Sequence, residues 1–161
     1  IDFYEAIATF KGASKRLEKL AESSDYVAFK DFAHSPSKVA ATTRAVKEQY
    51  PDRRMVACLE LHTYSSFNPE FLKEYRGALD AADEAIVFYL PESVAIKKLD
   101  PVSPEQIREA FQRSDLRIFT NSSDFHKFIL DQDFIDKVLL LMSSGNYGGL
   151  DLEELKRRIA P

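Results

Sequence analysis

Five short apolar runs, each separated from the next by a segment with helical spacing, limit what this 161-residue chain can fold into. The runs are VAF (27–29), MVACLEL (55–61), AIVFYL (85–90), LRIFT (116–120) and VLLLM (138–142). They are rich in β-branched, aromatic and leucine residues and nearly continuous, as in strands covered on both faces. Between them Val39, Thr43, Val46 and Tyr50 recur at helical intervals, and Phe71, Tyr75, Ala78 and Ala82 repeat the pattern. Ile107, Ala110 and Phe111, and then Phe125, Phe128 and Ile129, predict two further helices. Ser35-Pro36, Asn68-Pro69 and Ser103-Pro104 each place a capping side chain before a proline at the first helical position. Ser103 with Gln106, and Asp151 with Glu154, have capping-box spacing. Repeated strand–helix units predict an α/β fold, a Rossmann-like, doubly wound and mostly parallel sheet with helices on both faces. Residues 16–23 and 26–31, turning at Ser24-Asp25, add an N-terminal antiparallel hairpin strand. The longest expected loop is 91–102, carrying Lys97 and Lys98.

Composition narrows the function. A net charge of −4, with basic pairs scattered along the chain, gives no stripe for nucleic acid or an anionic membrane. No apolar run approaches a membrane span, and no signal segment opens the chain. The single cysteine, Cys58, excludes an internal disulfide framework and a multi-cysteine zinc site, in keeping with a cytoplasmic location. With 45% apolar residues the chain can bury a core without such staples. Residues 1–14 read as the tail of a preceding domain and a linker, and 15–161 as one domain.

In doubly wound sheets ligands bind beyond the carboxyl ends of the strands, where the strand order reverses. Asp31 and His34 stand there, between a strand end and a helix start. The carboxylate suits ribose hydroxyls or a metal-bound water, and the imidazole suits phosphate or a reacting carboxyl group. The plain alternative is a capping carboxylate and a half-buried histidine. Glu60 through Phe67 offers an acid, His62, Thr63, Tyr64, Ser65 and Ser66 at another strand end, suited to an amino-acid-like ligand or simply a polar loop. Ser143 through Gly149 is rich in glycine but matches neither dinucleotide nor P-loop fingerprints, so tight turning into the last helix is the simpler reading. Cys58 reads as a core residue and His126 as a surface or capping one.

Taken together, these segments resemble a known family. Asp31-Phe32-Ala33-His34-Ser35-Pro36 resembles the D-[FY]-[AG]-H-x-P signature that opens the C-terminal domain of Mur ligases. Phe10-Lys11-Gly12 and Lys15-Arg16-Leu17-Glu18 look like the junction from the central domain. Met142-Ser143-Ser144-Gly145-Asn146-Tyr147-Gly148-Gly149 is similar to the glycine loop of the murein peptide ligase branch, and Ala82-Asp83-Glu84 to the family's A-D-E. The alanine-adding branch is the next nearest in pattern.

The resemblance implies an ATP- and magnesium-dependent ligase of peptidoglycan metabolism that joins UDP-N-acetylmuramate to a cell-wall peptide through an acyl phosphate. It implies that this domain closes over ATP and positions the incoming amine, while the N-terminal and central domains hold most of the nucleotide and the metal. Asp31 would then contact the nucleotide and His34 the reacting region. His62, Thr63, Ser65, Ser66, Lys97 and Lys98 would face the acceptor, with no metal ligand in this domain. The chain departs from the alanine-adding relatives, which have H-R-F-T-R where it has His62-Thr63-Tyr64-Ser65-Ser66, so the two arginines that clamp a free carboxylate are replaced. The alternatives are a UDP-N-acetylmuramate–L-alanine ligase domain or a non-catalytic Rossmann-like ligand-binding module.

Overall fold

The computed structural model describes residues 17–161. The stretch 1–14, read as the tail of a preceding domain and a linker, and the motif residues from Phe10 to Arg16 lie outside the described residues. Six strands form one sheet: β1 (Glu18–Glu22), β2 (Tyr26–Asp31), β3 (Arg54–Glu60), β4 (Glu84–Phe88), β5 (Arg117–Phe119) and β6 (Lys137–Met142). Their spatial order is β1-β2-β6-β3-β4-β5. β1 runs antiparallel to β2, with an irregular register between Lys19 and Ala21, and every other pairing is parallel. The doubly wound sheet and its hairpin strand are as the sequence predicts.

Near-continuous apolar strands bury both faces because successive side chains alternate. Val27, Phe29, Met55, Ala57, Leu59, Val87, Val138 and Leu140 point to one core. There they meet Val39 and Val46 of α1 (Pro36–Gln49), Val94 of α3 (Pro91–Ile96), and Ile107 and Phe111 of α4 (Pro104–Phe111). Tyr26, Ala28, Val56, Cys58, Ile86, Phe88, Leu139 and Leu141 point the other way, onto α5 (Ser122–Leu130) and α6 (Leu152–Ile159). Cys58 is fully buried, and burial pushes its thiol pKa well up, so it is a packing residue. None of the described helices is long and apolar enough to cross a membrane.

Three local expectations change. The spacing of Phe71, Tyr75, Ala78 and Ala82 predicts a helix, but only α2 (Pro69–Leu72) and a 3-10 turn (Lys73–Tyr75) form. Gly77 then takes a left-handed backbone, with φ 74°, and turns follow. Tyr75, Ala78 and Ala82 are nonetheless buried, so the apolar spacing marks packing rather than conformation. The 91–102 stretch is not a bare loop, because Pro91 starts the short α3. Asn68 and Ser103 cap their helices through the side chain, whereas Ser35 makes no capping hydrogen bond. The Ser103–Gln106 box closes in both directions; Asp151 accepts from the Glu154 N–H, but the Glu154 carboxylate turns to Arg157.

The A-D-E acid stands at the amino end of the sheet, away from the strand exits. Asp83 Oδ2 accepts from Lys47 Nζ at 2.8 Å and from the Met55 N–H at 2.8 Å, and Glu84 pairs with Arg54. Burial pushes the Asp83 carboxyl up, but the Lys47 and Met55 hydrogen bonds and the nearby Lys47 and Arg54 charges outweigh it, leaving the pKa below the usual value. A depressed folded pKa contributes stability above the unfolded value of about 3.9 and loses it as pH falls through the folded one. Asp83→Asn should therefore cost about 1 kcal/mol at neutral pH. In denaturant titrations across pH, the gap to the wild type should hold down to about pH 4 and close below it.

Candidate functional site

β6 lies between β2 and β3, yet its exit leads to the opposite face of the sheet from theirs. The chain diverges at this point, and such a divergence opens a crevice at the carboxyl edge. Three of the five buried polar side chains among the described residues stand in a row there: Asp31 ending β2, Ser143 just beyond β6, and Glu60 ending β3. Asp31 and Leu59 both pair with Met142, so the three strand ends are level. The Ser143 N–H donates to the Asp31 carbonyl at 3.0 Å, carrying the ladder one residue further.

On the β2 side, Asp31 Oδ2 accepts from the Ala33 N–H at 3.0 Å and from the Thr42 hydroxyl at 3.4 Å. His34 is half-buried, with Nδ1 2.9 Å from the Phe32 carbonyl oxygen. A carbonyl only accepts, so Nδ1 carries the proton and Nε2 stays available to a ligand. Exposed Phe32 stands edge-on to the imidazole, with ring centroids 5.4 Å apart. The Tyr75 phenol donates to the His34 carbonyl; burial pushes its pKa up to about 12, so it remains a donor. A cleft of about 230 Å³ is lined by Glu18 of β1, by Lys30, Asp31 and Phe32, and by Ser143, Ser144 and Gly145.

The β3 exit carries the second group. His62 and Ser65 are exposed, while Ser66 is buried, its hydroxyl 2.8 Å from the Thr63 hydroxyl. That pair shapes the loop from inside. Lys97, at the end of α3, lies over the exposed Tyr64 ring, 5.4 Å from its centroid. Lys98 follows in a left-handed turn with φ 58°; its N–H donates to the Ala95 carbonyl at 3.0 Å, and its exposed side chain makes no hydrogen bond or ion pair among the described residues. The structure thus groups Asp31 with His34, Thr63 with Ser66, and Lys97 with Tyr64, while His62 lies near Glu60 at Gly145 and Ser65 is exposed on the same loop. The Lys98 side chain is tied to none of these.

The loop after β6 is built more firmly than its glycines suggest. The Glu60 carboxylate receives the Ser143 hydroxyl at 2.6 Å and the Tyr147 N–H at 2.9 Å, and Ser143 Oγ in turn accepts from the Gly145 N–H at 2.7 Å. Tyr147 reaches back to the Met142 and Cys58 carbonyls, and its ring stacks on Phe125, 5.2 Å away. His126 Nε2 holds the Tyr147 carbonyl at 2.7 Å. Glu60, Tyr147 and His126 carry this loop, and spacing alone does not single them out. Among the described residues no group of three or more histidine, cysteine or acidic side chains could hold a metal ion.

A doubly wound sheet with polar groups level on three adjacent strand ends, at the crevice where its exits diverge, defines an α/β domain of the class in which ligands bind at such crevices. Comparison with known proteins narrows this. The family described as "Mur ligase, glutamate ligase domain" matches residues 15–145, and the chain belongs to it as a Mur ligase C-terminal domain. A UDP-N-acetylmuramate–L-alanine ligase of Sulfurihydrogenibium sp. is 29% identical over 144 residues, which cover 88% of this chain and 31% of that protein. The ligase of the same name from Brachyspira hyodysenteriae is 28% identical over 147 residues, covering 90% and 31%. In fold, the crystal structure of a murein peptide ligase of Psychrobacter arcticus is similar at a TM-score of 0.70 and 21% identity, over 98% of this chain and 32% of that one. The chain therefore spans under a third of the length of these relatives.

The glycine loop makes its own prediction. Gly148 has φ 65°, and a Cβ there would sit 2.5 Å from Ser122 Oγ and 3.4 Å from the Phe88 ring. Gly148→Ala should cost about 1–3 kcal/mol. Adding Ser122→Ala removes the 2.5 Å clash but leaves the residue 122 Cβ at 3.3 Å and the backbone strain, so in chemical unfolding the double variant should recover only part of the loss.

Proposed function

We propose that residues 15–161 form the acceptor-side domain of an ATP-dependent amide ligase that joins UDP-N-acetylmuramate to a cell-wall peptide. The observation that carries this reading is the level row of strand ends, with the Asp31–His34 group and the His62–Ser66 group on opposite sides of the β6 loop. A ligase must bring an activated carboxyl group and an amine together, and two polar half-sites flanking one crevice suit that task. Membership of the Mur ligase family supports the reaction class.

ATP, when bound, supplies the phosphoryl group that activates the carboxylate. Asp31 fits the nucleotide, because a buried carboxylate at a strand end is a ready acceptor for sugar hydroxyls. The 230 Å³ cleft beside it takes only part of such a molecule, so the remainder rests on the central domain. The described residues present no metal cluster, and magnesium is assigned to the central domain as well. His34 presents Nε2 toward the reacting groups, its ring fixed by the Phe32 carbonyl and its backbone by Tyr75.

A peptide acceptor suits the second half-site better than free alanine. A small zwitterion needs a bidentate arginine for its carboxylate, and this chain has Thr63 and Ser66 at those places. Their hydroxyls are turned on each other. The cationic group on this side is Lys97 on its Tyr64 platform, with Lys98 beside it in sequence, placed for a carboxylate further along a peptide.

In the full-length protein, Asp31→Ala and His34→Ala should each lower ligation about a hundredfold without unfolding the domain. Full activity of both at limiting and saturating ATP would reduce these residues to caps. Specificity constants with UDP-N-acetylmuramate and ATP should favour L-alanyl-γ-D-glutamyl-meso-diaminopimelate over L-alanine. Efficient use of alanine alone would move the protein to the alanine-adding branch.

A further inference from the structure

The crevice holds a buried carboxylate that the domain leaves half satisfied. Glu60 is 5% exposed. Both of its hydrogen bonds, from Ser143 and from the Tyr147 N–H, end on Oε1, and both donors are neutral. Oε2 accepts none among the described residues. It is not sealed either, since the closed-off side-chain atoms without a partner are Arg53 Nη1 and Ser144 Oγ. Asp83, by contrast, is matched by Lys47 at 2.8 Å, whereas no described cation pairs with Glu60. Desolvating a carboxylate without a counter-charge is costly, which makes such a group in a crevice a candidate for binding a cation.

The surroundings say which cation. A Cβ built on Gly145 would lie 3.1 Å from Glu60 Oε1 and 3.2 Å from His62 Cδ2, so Glu60, His62 and the bare Gly145 backbone meet in one notch. An ammonium group donates up to three hydrogen bonds and needs acceptors, which a carboxylate oxygen and an imidazole nitrogen can supply. A peptide's terminal amine has an ordinary pKa of about 7.7–8.0 and is mostly an ammonium at neutral pH.

We propose that Glu60 is the seat of the incoming amine, holding it through Oε2 as an ammonium beside His62 ahead of the ligation step. The proposal rests on the ligase reading above and assigns to Glu60 a charge role distinct from its anchoring of the β6 loop through Oε1.

Glu60→Gln in the full-length ligase separates the two roles. The amide carbonyl can still accept from Ser143 and Tyr147, while the amide NH₂ takes the place of Oε2 and meets the ammonium donor to donor. Steady-state kinetics with ATP, UDP-N-acetylmuramate and the tripeptide should show the acceptor KM raised about ten- to a hundredfold. The KM for ATP and the melting temperature should be unchanged. Gly145→Ala keeps the charge but crowds the notch, and should raise the same KM less. An unchanged acceptor KM in Glu60→Gln overturns the proposal; if that variant does not fold, an unchanged acceptor KM in Gly145→Ala does so. If the wild-type full-length protein forms no amide from any of these amines, the ligase reading fails and this proposal falls with it.

Discussion

The pairing of β6 along both of its edges is the constraint on which the rest of the domain depends. β6 is the last strand in sequence, yet it lies between β2 and β3 and supplies the ladder partners of both. Its Val138, Leu140 and Met142 complete one core, and Leu139 and Leu141 the other. Without it the hairpin of β1 and β2 would be parted from the β3–β5 half. Its late insertion also puts the loop that follows it between the exits of β2 and β3. Topology thereby brings Asp31, Ser143 and Glu60 together from three distant parts of the chain.

The two ends of the sheet are used differently. At the amino end, acids and bases close on each other: Asp83 on Lys47 and the Met55 N–H, Glu84 on Arg54. At the carboxyl end the charges point outward or stand half satisfied. The His34 imidazole is fixed through Nδ1 with Nε2 left available, and Lys97 is supported on an aromatic ring rather than an acid. An end already neutralised contributes stability, while an end with unmet polar groups retains the capacity to bind.

Much of this was legible in the sequence, for physical reasons. Strands buried on both faces read as unbroken apolar runs, and a capping side chain before proline marks a helix start, so β2 to β6, α4 and the chain reversals were predictable. The 71–82 segment was not, because burial of Tyr75, Ala78 and Ala82 gives helical spacing even where Gly77 turns the backbone out of the helix. Asp31 and His34 were visible through a contiguous motif. Glu60 drew notice only as part of a polar loop. Its pairing with Ser143 and Tyr147 joins residues more than eighty positions apart, and no local pattern encodes that. Nor does a local pattern encode the hold of His126 on the Tyr147 carbonyl, 21 positions away.

The borders of the sheet have a consequence of their own. An open strand edge is a template on which another chain can polymerise. Here one border is the three-residue β5, too short to seed a ladder. The other is β1, whose register slips between Lys19 and Ala21 and whose Glu18, Lys19 and Glu22 would set charge against any added strand. Among the described residues both borders are thus guarded against runaway sheet growth, so the half-satisfied strand ends lie on a sheet whose sides discourage added strands.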